Sequence, residues 1–463
     1  MLSHPGIRRE GSRLTDPTSN NASSPQLTPR RNFLRVGSLG LLGIGLSDCF
    51  RLSAAASTAS ENASPSTSAQ SCILLFLEGG QSQIDSWDPK PQSGFNPIST
   101  RTPSVQISEL YPRVAARLDK VALLRTLHTE ENNHPQGVHY VMTGHRPSPR
   151  TTYPSLGSII SKELGFRNSM PPYVMVPQHY ESDFFSYVDA FNSAFIGAQY
   201  NPVIVPDPSK GSFVVPDLSL PKTLSFDDIE NRLRFLDVVD KTYRHYEKRA
   251  EFAQMDRFTR QAMTILLSPT VKQAFDLSQE SEKTKDAYGR DRVGQSVLLA
   301  RRLVEAGCRF VTADGYDGGA WDTHLDHDAL QRSKLAPTLD RTLSTLLDDL
   351  DQRGLLDSTL VLAMGEFGRT PHLNAQKGRD HYPECWSMLM AGGGIQGGRV
   401  VGRSDTHGAQ IARRRISMGD VFATIYKALG IDWTKTYVDP FGRPMYIANA
   451  LDDAMGQPVT EVF

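Results

Sequence analysis

The sequence predicts an α/β protein, a doubly wound, mainly parallel sheet with an inserted helical arm. Three observations carry this expectation. Short apolar runs alternate along the chain with longer stretches of helical period. The runs are near-continuously apolar, as strands covered on both faces must be. The polar residues suited to chemistry follow directly on those runs, where ligands of such sheets bind.

The strand candidates are 73–77, 121–124, 173–176, 309–312 and 360–363, with a further one around 387–390. A helix is predicted over 329–353, where Leu335, Leu339, Leu343, Leu346, Leu347 and Leu350 form one stripe before Gly354. A second helix, 418–429, starts after Ser417, turns Val421, Phe422, Ile425 and Leu429 inward and stops at Gly430. Residues 228–286 are highly charged and helical in pattern, without strand signals, and read as an inserted cap or arm.

The first 70 residues stand outside this plan. Thr-Pro-Arg-Arg-Asn-Phe-Leu-Arg at 28–35 precedes a glycine-rich apolar run, 36–46. A membrane-spanning helix needs about 20 apolar residues, so this run fits a signal-peptide core instead. Ala54, Ala55 and Ala56 supply small residues for cleavage. Together these features mark 1–56 as a twin-arginine signal, with the twin-arginine translocase as export partner and a periplasmic or extracellular destination. Asp48 before Cys49 argues against lipid attachment. Residues 57–70, mostly Ser, Ala, Thr, Asn and Pro, read as a disordered tether, and 71–463 as the folded domain.

Composition narrows the function classes. With 50 basic against 51 acidic residues, nothing favours nucleic acid or an acidic membrane surface. No second apolar run reaches spanning length, so no membrane is expected after signal cleavage. Cys72, Cys308 and Cys385 are too few and too far apart for a disulfide framework. Of the 12 histidines, nine fall in 128–145, 324–327 and 372–407. That clustering points to a site.

Four constellations follow the strand candidates. After the first come Glu78, Gly79, Gly80, Ser82, Gln83, Asp85 and Asp88. They form either a ligand-facing turn offering the oxygens of Ser82 and Asp85 or a structural turn with an aspartate cap. The second holds His128, Asn133 and His134 beside Pro135, more histidine than a core needs, and fits a loop and helix start facing a ligand. In the third, extended-chain alternation sends Asp322 and His324 the same way, as a chelating carboxylate–imidazole pair requires. Asp326 or His327 can add a ligand or a partner; an Asp-capped turn is the plainer alternative. The fourth contains Glu366, Arg369, Arg379 and His381. His381 completes three protein ligands with an open position, and the guanidinium forks suit a tetrahedral anion, or else the charges merely tie two loops together. Gly392–Gly394 lack the lysine and hydroxyl of a phosphate-binding P-loop.

The series Gly-Gly-Gln-Ser-Gln-Ile-Asp-Ser-Trp-Asp, Trp-Asp-Thr-His, Glu-Phe-Gly-Arg-Thr-Pro and Gly-Arg-Asp-His resembles a large bacterial family of twin-arginine-exported proteins. That family is of unknown function, is plentiful in planctomycete-type genomes, and is similar to the alkaline phosphatase superfamily with its sulfatases. The likeness runs from about residue 70 to 450. It implies an alkaline phosphatase-like α/β/α sandwich with divalent metal at the strand ends and hydrolysis of sulfate or phosphate esters. Imidazole and carboxylate ligands suit zinc, manganese or iron. Position by position, Asp322, His324 and His381 match metal ligands of the phosphatase-type branch, with Glu366 and Glu78 as remnants of the other half-site. Phe367 falls where that half-site needs a second ligand, and His134 falls at the position of the nucleophile. Water attack with Arg369 or Arg379 clamping the anion needs no protein nucleophile; Ser82 is the fallback. Gln83, Asp85 and Asn133 are the candidates for touching substrate. The function expected is an exported, metal-dependent hydrolase of anionic esters, polysaccharide included. The alternatives are a non-catalytic binding protein on the same fold and a scaffold or secretion partner docking through 228–286.

Overall fold

The computed structural model describes residues 69–177, 188–210, 213, 215, 263–313, 316, 319–450 and 454–463. The twin-arginine motif, the cleavage site and most of the tether lie outside them. All the described residues belong to one unit, Ala54–Thr223 with Ala250–Phe463.

Eight strands build the main sheet: β1 (Ser71–Phe76), β2 (Val121–Leu127), β3 (Tyr173–Val176), β4 (Val203–Ile204), β5 (Phe310–Ala313), β6 (Thr359–Met364), β7 (Trp386–Ala391) and β8 (Arg399–Val401). Their order is β8-β2-β7-β6-β1-β5-β3-β4. β7 runs antiparallel to both β2 and β6, while the remaining pairs are parallel. The sheet is thus mainly parallel, as predicted. All six expected strands are present. The edge strands β4 and β8, two and three residues long, are too short to leave a pattern in the sequence.

Every residue of β1 and β6 is buried, which explains their unbroken apolar runs. Alternation still sorts them. Ile73 and Leu75 join one core cluster, while Cys72, Leu74 and Phe76 join the other. The first core lies under α3 (Arg292–Ala306) and α4 (Ala336–Gln352). The second lies under α1 (His134–Thr143), α2 (Leu156–Leu164) and α5 (Met418–Ala428). Helices on both faces make the sandwich. Cys72, Cys308 and Cys385 are buried free thiols.

The helix ends follow local chemistry. Ser417 and Asp420 form a reciprocal capping box on α5, and Ser155 and Asp291 cap α2 and α3. The predicted 329–353 helix begins earlier, at His327, and passes through a π-turn at Gln331–Leu335 before α4. Pro337 has no N–H to return to Ser333, so the regular ladder is interrupted there.

Of the proposed arm, 228–262 lies outside the described residues. Its remainder packs on the domain: Val271, Ala274, Phe275 and Leu277 are buried in the first core, and the charged pattern of 269–286 covers an outer face.

Candidate metal centre

The carboxyl ends of β1, β5 and β6 release three loops that meet at one place, and the start of α1 closes it. The loop after β1 turns through Gly79 (φ +108°) and Gly80 (φ +87°). A Cβ on Gly79 would lie 2.3 Å from the Asp322 amide, so only glycine lets the loops after β1 and β5 touch. The chain after β6 forms a ribbon in which Gly368–Arg369 pairs with His381–Tyr382, setting His381 opposite Arg369.

Three imidazoles converge on one oxygen. Asp322 Oδ1 lies 3.2 Å from His134 Nε2, 3.0 Å from His324 Nε2 and 3.1 Å from His381 Nε2. Each ring is held by its other nitrogen. His134 Nδ1 donates to Glu366 Oε1 (2.5 Å), His324 Nδ1 to Asp380 Oδ1 (2.7 Å), and His381 Nδ1 to the Asn132 carbonyl (2.5 Å). Carboxylates and carbonyls only accept, so the Nδ1 atoms carry protons, and each Nε2 is the nitrogen that can bind a cation once it has no proton of its own. His324 and His381 bring their Nε2 atoms to 3.0 Å of each other. Two lone pairs that close repel unless a proton or a metal ion lies between them. His134, Asp322 and His381 can share one ion, with His324 at their open side, half exposed.

Electrostatics agree with that arrangement. Burial alone would raise Asp322, but hydrogen bonds from His134 and His381 and the Arg369 guanidinium (2.6 Å) hold it well below the usual carboxylate range. Burial pulls His134 down, yet Asp322 and Glu366 together raise it to about 9. Glu366 also accepts from the Gly79 N–H (2.9 Å). Its place is therefore behind His134, outside the group that could hold an ion. Glu78 is buried at the end of β1, and its carbonyl accepts from Trp321 N–H (3.0 Å).

Several expected site residues stand elsewhere. Ser82, Asp85 and Arg379 form a second, sealed cluster. Asp85 accepts from Ser82 Oγ (2.5 Å), Ser93 Oγ (2.6 Å), His327 Nε2 (2.9 Å) and Arg379 Nε (2.8 Å). Burial opposes it, but His327 and Arg379 lower Asp85 to about 2. The hydroxyl of Ser82 thus faces a carboxylate held ionised by His327 and Arg379, too weak a base to activate it as a nucleophile. Arg379 is wholly buried and also donates to the carbonyls of Thr370, Pro371 and Gln92; it is a brace, not an anion clamp. Arg369 is equally buried, donating to Asp322 and to the carbonyls of Gly79, Gly80 and Arg379. Gln83, expected at substrate, is inaccessible and ties Arg369 to Gly408 through its amide. Asp85 leaves the substrate-facing set for the same reason. Asn133 is exposed at the N-cap of α1, where its side chain makes no cap hydrogen bond.

The sequence placed His134 at the nucleophile position, whereas the structure groups it with Asp322 and His381 as residues that could hold an ion. The signal was present: a histidine on the first turn of a helix, fixed by Pro135, beyond a strand end. His327, read as a possible ligand, serves Asp85 instead. Phe367 is fully buried, its ring 5.1 Å from His134 and 4.6 Å from His381 by centroid.

No curated protein matches this sequence. Among solved structures, a mutant of alkaline phosphatase PafA is similar over 87% of this chain and 100% of its own, at 10% identity and TM-score 0.42. The alkaline phosphatase of the Antarctic bacterium TAB5 matches 79% of this chain and 99% of its own, at 11% identity and TM-score 0.37. The PsFucS1 sulfatase from Pseudoalteromonas sp. matches 88% and 72%, at 11% identity and TM-score 0.36. The family model described as "Protein of unknown function (DUF1501)" matches residues 69–463, and the chain belongs to that family.

Proposed function

We propose that this protein is an exported, metal-dependent hydrolase of sulfate or phosphate esters, polysaccharide esters among them. The observation that carries the reading is the convergence of three Nε2 atoms on Asp322 Oδ1, each imidazole fixed from behind by an acceptor. That donor set fits zinc, manganese or iron, with His134, Asp322 and His381 holding the ion and His324 beside them. A bound ion would supply Lewis-acid polarisation of an ester oxygen.

The protein's own residues prepare that place. Asp380, Glu366 and the Asn132 carbonyl keep the Nδ1 protons, so the lone pairs point inward. Arg369 keeps Asp322 anionic from the buried side. With Ser82 bound to Asp85 and His134 at the nucleophile position, water is the attacking group this reading requires. Export through the twin-arginine translocase, after folding, would let metal load in the cytoplasm.

Elemental analysis of the cleaved protein beside His324→Ala and His381→Ala tests this. About one equivalent of zinc, manganese or iron, absent from both variants, with turnover of an aryl sulfate or phosphate, supports the hydrolase. Wild-type protein without metal sinks it. A non-catalytic binding protein is the second reading, favoured by Phe367 against His134 and His381 and by arginines that are buried against the protein's own carboxylates, out of reach of an anionic ligand. Metal without turnover on any ester would select it.

A further inference from the structure

A cavity of about 420 Å³ opens at the start of α2, lined by Arg150, Thr151, Asp189, Asn192, Phe195 and Asn201 among others. Its volume is that of a small-molecule site. Ser155, the N-cap of α2, fixes one wall: its N–H donates to the Asn192 carbonyl (2.9 Å) and its Oγ to that of Phe191 (2.9 Å). Asn201 Oδ1 braces the same wall by accepting from the Ser193 N–H (2.7 Å). Phe191 packs edge-on against Phe76 (6.2 Å between ring centroids), the last residue of β1. The cavity therefore stands at the carboxyl end of the sheet, the end that carries the metal centre.

The lining is polar and largely unpaired. Thr151 is 5% exposed, and its hydroxyl has no hydrogen-bond partner. The half-buried Asn192 side chain has none either among the described residues. Arg150 and Asp189 are exposed, and among the described residues neither is in an ion pair. A buried hydroxyl is costly to leave unpaired, so its retention at a cavity wall points to a ligand that completes it.

One cation and one anion on the same cavity give no preference for a charged occupant. Hydroxyl, amide, guanidinium and carboxylate together offer donors and acceptors, as sugar hydroxyls require, since each donates once and accepts twice. The Phe195 ring adds an apolar surface for the C–H face of a sugar. We infer that this cavity binds one uncharged sugar unit. It takes its purpose from the hydrolase reading, since a glycan held here by one unit would keep its esterified units at the metal-bearing end of the sheet.

The test is saturation-transfer NMR with the methyl glycosides of glucose, galactose, mannose, xylose, fucose and N-acetylglucosamine, and with glycine betaine as a zwitterionic control. Wild-type protein is measured beside Thr151→Val and Asn192→Ala. At least one glycoside should bind the wild type, with affinity at least about tenfold lower in each variant. Thr151→Val removes an unpaired buried hydroxyl, so its Tm should hold or rise, which separates lost binding from lost fold. No glycoside bound, equal affinity in either variant, or tighter binding of glycine betaine overturns the inference. Stripping metal with a chelator should leave binding unchanged; binding lost with the metal would put the sugar at the metal centre and overturn it too. Wild-type protein purified without metal that still binds a glycoside keeps the cavity and defeats the hydrolase.

Discussion

Two carboxylates in this molecule have nearly the same neighbours and opposite uses. Asp322 is met by Arg369 and three histidines, Asp85 by Arg379, a histidine and two serines. Around Asp85 every contact is a donor meeting an acceptor, and the side chain is 1% exposed. Around Asp322 the side chain is 23% exposed, and the nitrogens facing it, fixed by their own Nδ1 protons, are lone-pair nitrogens whenever the rings are neutral. Composition alone does not separate a site from a brace. What separates them is whether the donors are satisfied once the protein has folded, and whether a ligand can reach the group.

The largest effect that would break this comparison is on metal content. Asp322→Ala should reduce bound metal from about one equivalent to near none, measured by elemental analysis, whereas Asp85→Asn should leave it in place. Next comes stability. Arg379→Met leaves Asp85 charged and buried, and should destabilise the fold by about 3–5 kcal/mol in denaturant titration. A loss below about 1 kcal/mol would show the brace to be loose.

A pH titration sharpens the same contrast. Asp85 titrates at about 2 in the fold, against roughly 4 in the unfolded chain. Its stabilisation is therefore complete above about pH 4 and is lost as pH falls from about 4 to 2, by roughly 2–3 kcal/mol. Asp85→Asn should flatten that window. The smallest effect belongs to the other cluster. His134, raised to about 9, is protonated near neutrality when no ion is bound, and must lose its Nε2 proton to become a ligand. Metal uptake at pH 7 should release about one proton, seen by calorimetry in buffers of different ionisation enthalpy. Uptake without release would remove His134 from the ligand set.

Much of the fold was legible in the chain. Strands such as β1 and β6, buried on both faces, have no choice but unbroken apolar runs, and Ser417 with Asp420 announces the start of α5. The antiparallel direction of β7 was not legible, because a strand's side-chain pattern is the same in either direction. Asp322 and His381, two members of the group that could hold an ion, were readable from residue type and position after strands, whereas His134 was not read as a third and His324 stands beside the group. The division of labour among the arginines was not readable, since Arg369 and Arg379 carry identical groups in the same loop.

By itself, then, the sequence determined the six longer strands, the covering helices α4 and α5, and that histidines and carboxylates follow the strand ends, all consequences of local period and residue chemistry. Tertiary structure alone decided that His134 turns toward Asp322, that Arg379 closes on Asp85, and that Gln83 is sealed between loops. Those outcomes depend on contacts across roughly 190 to 290 residues of chain, where burial and the pairing of each donor are fixed only when the loops meet.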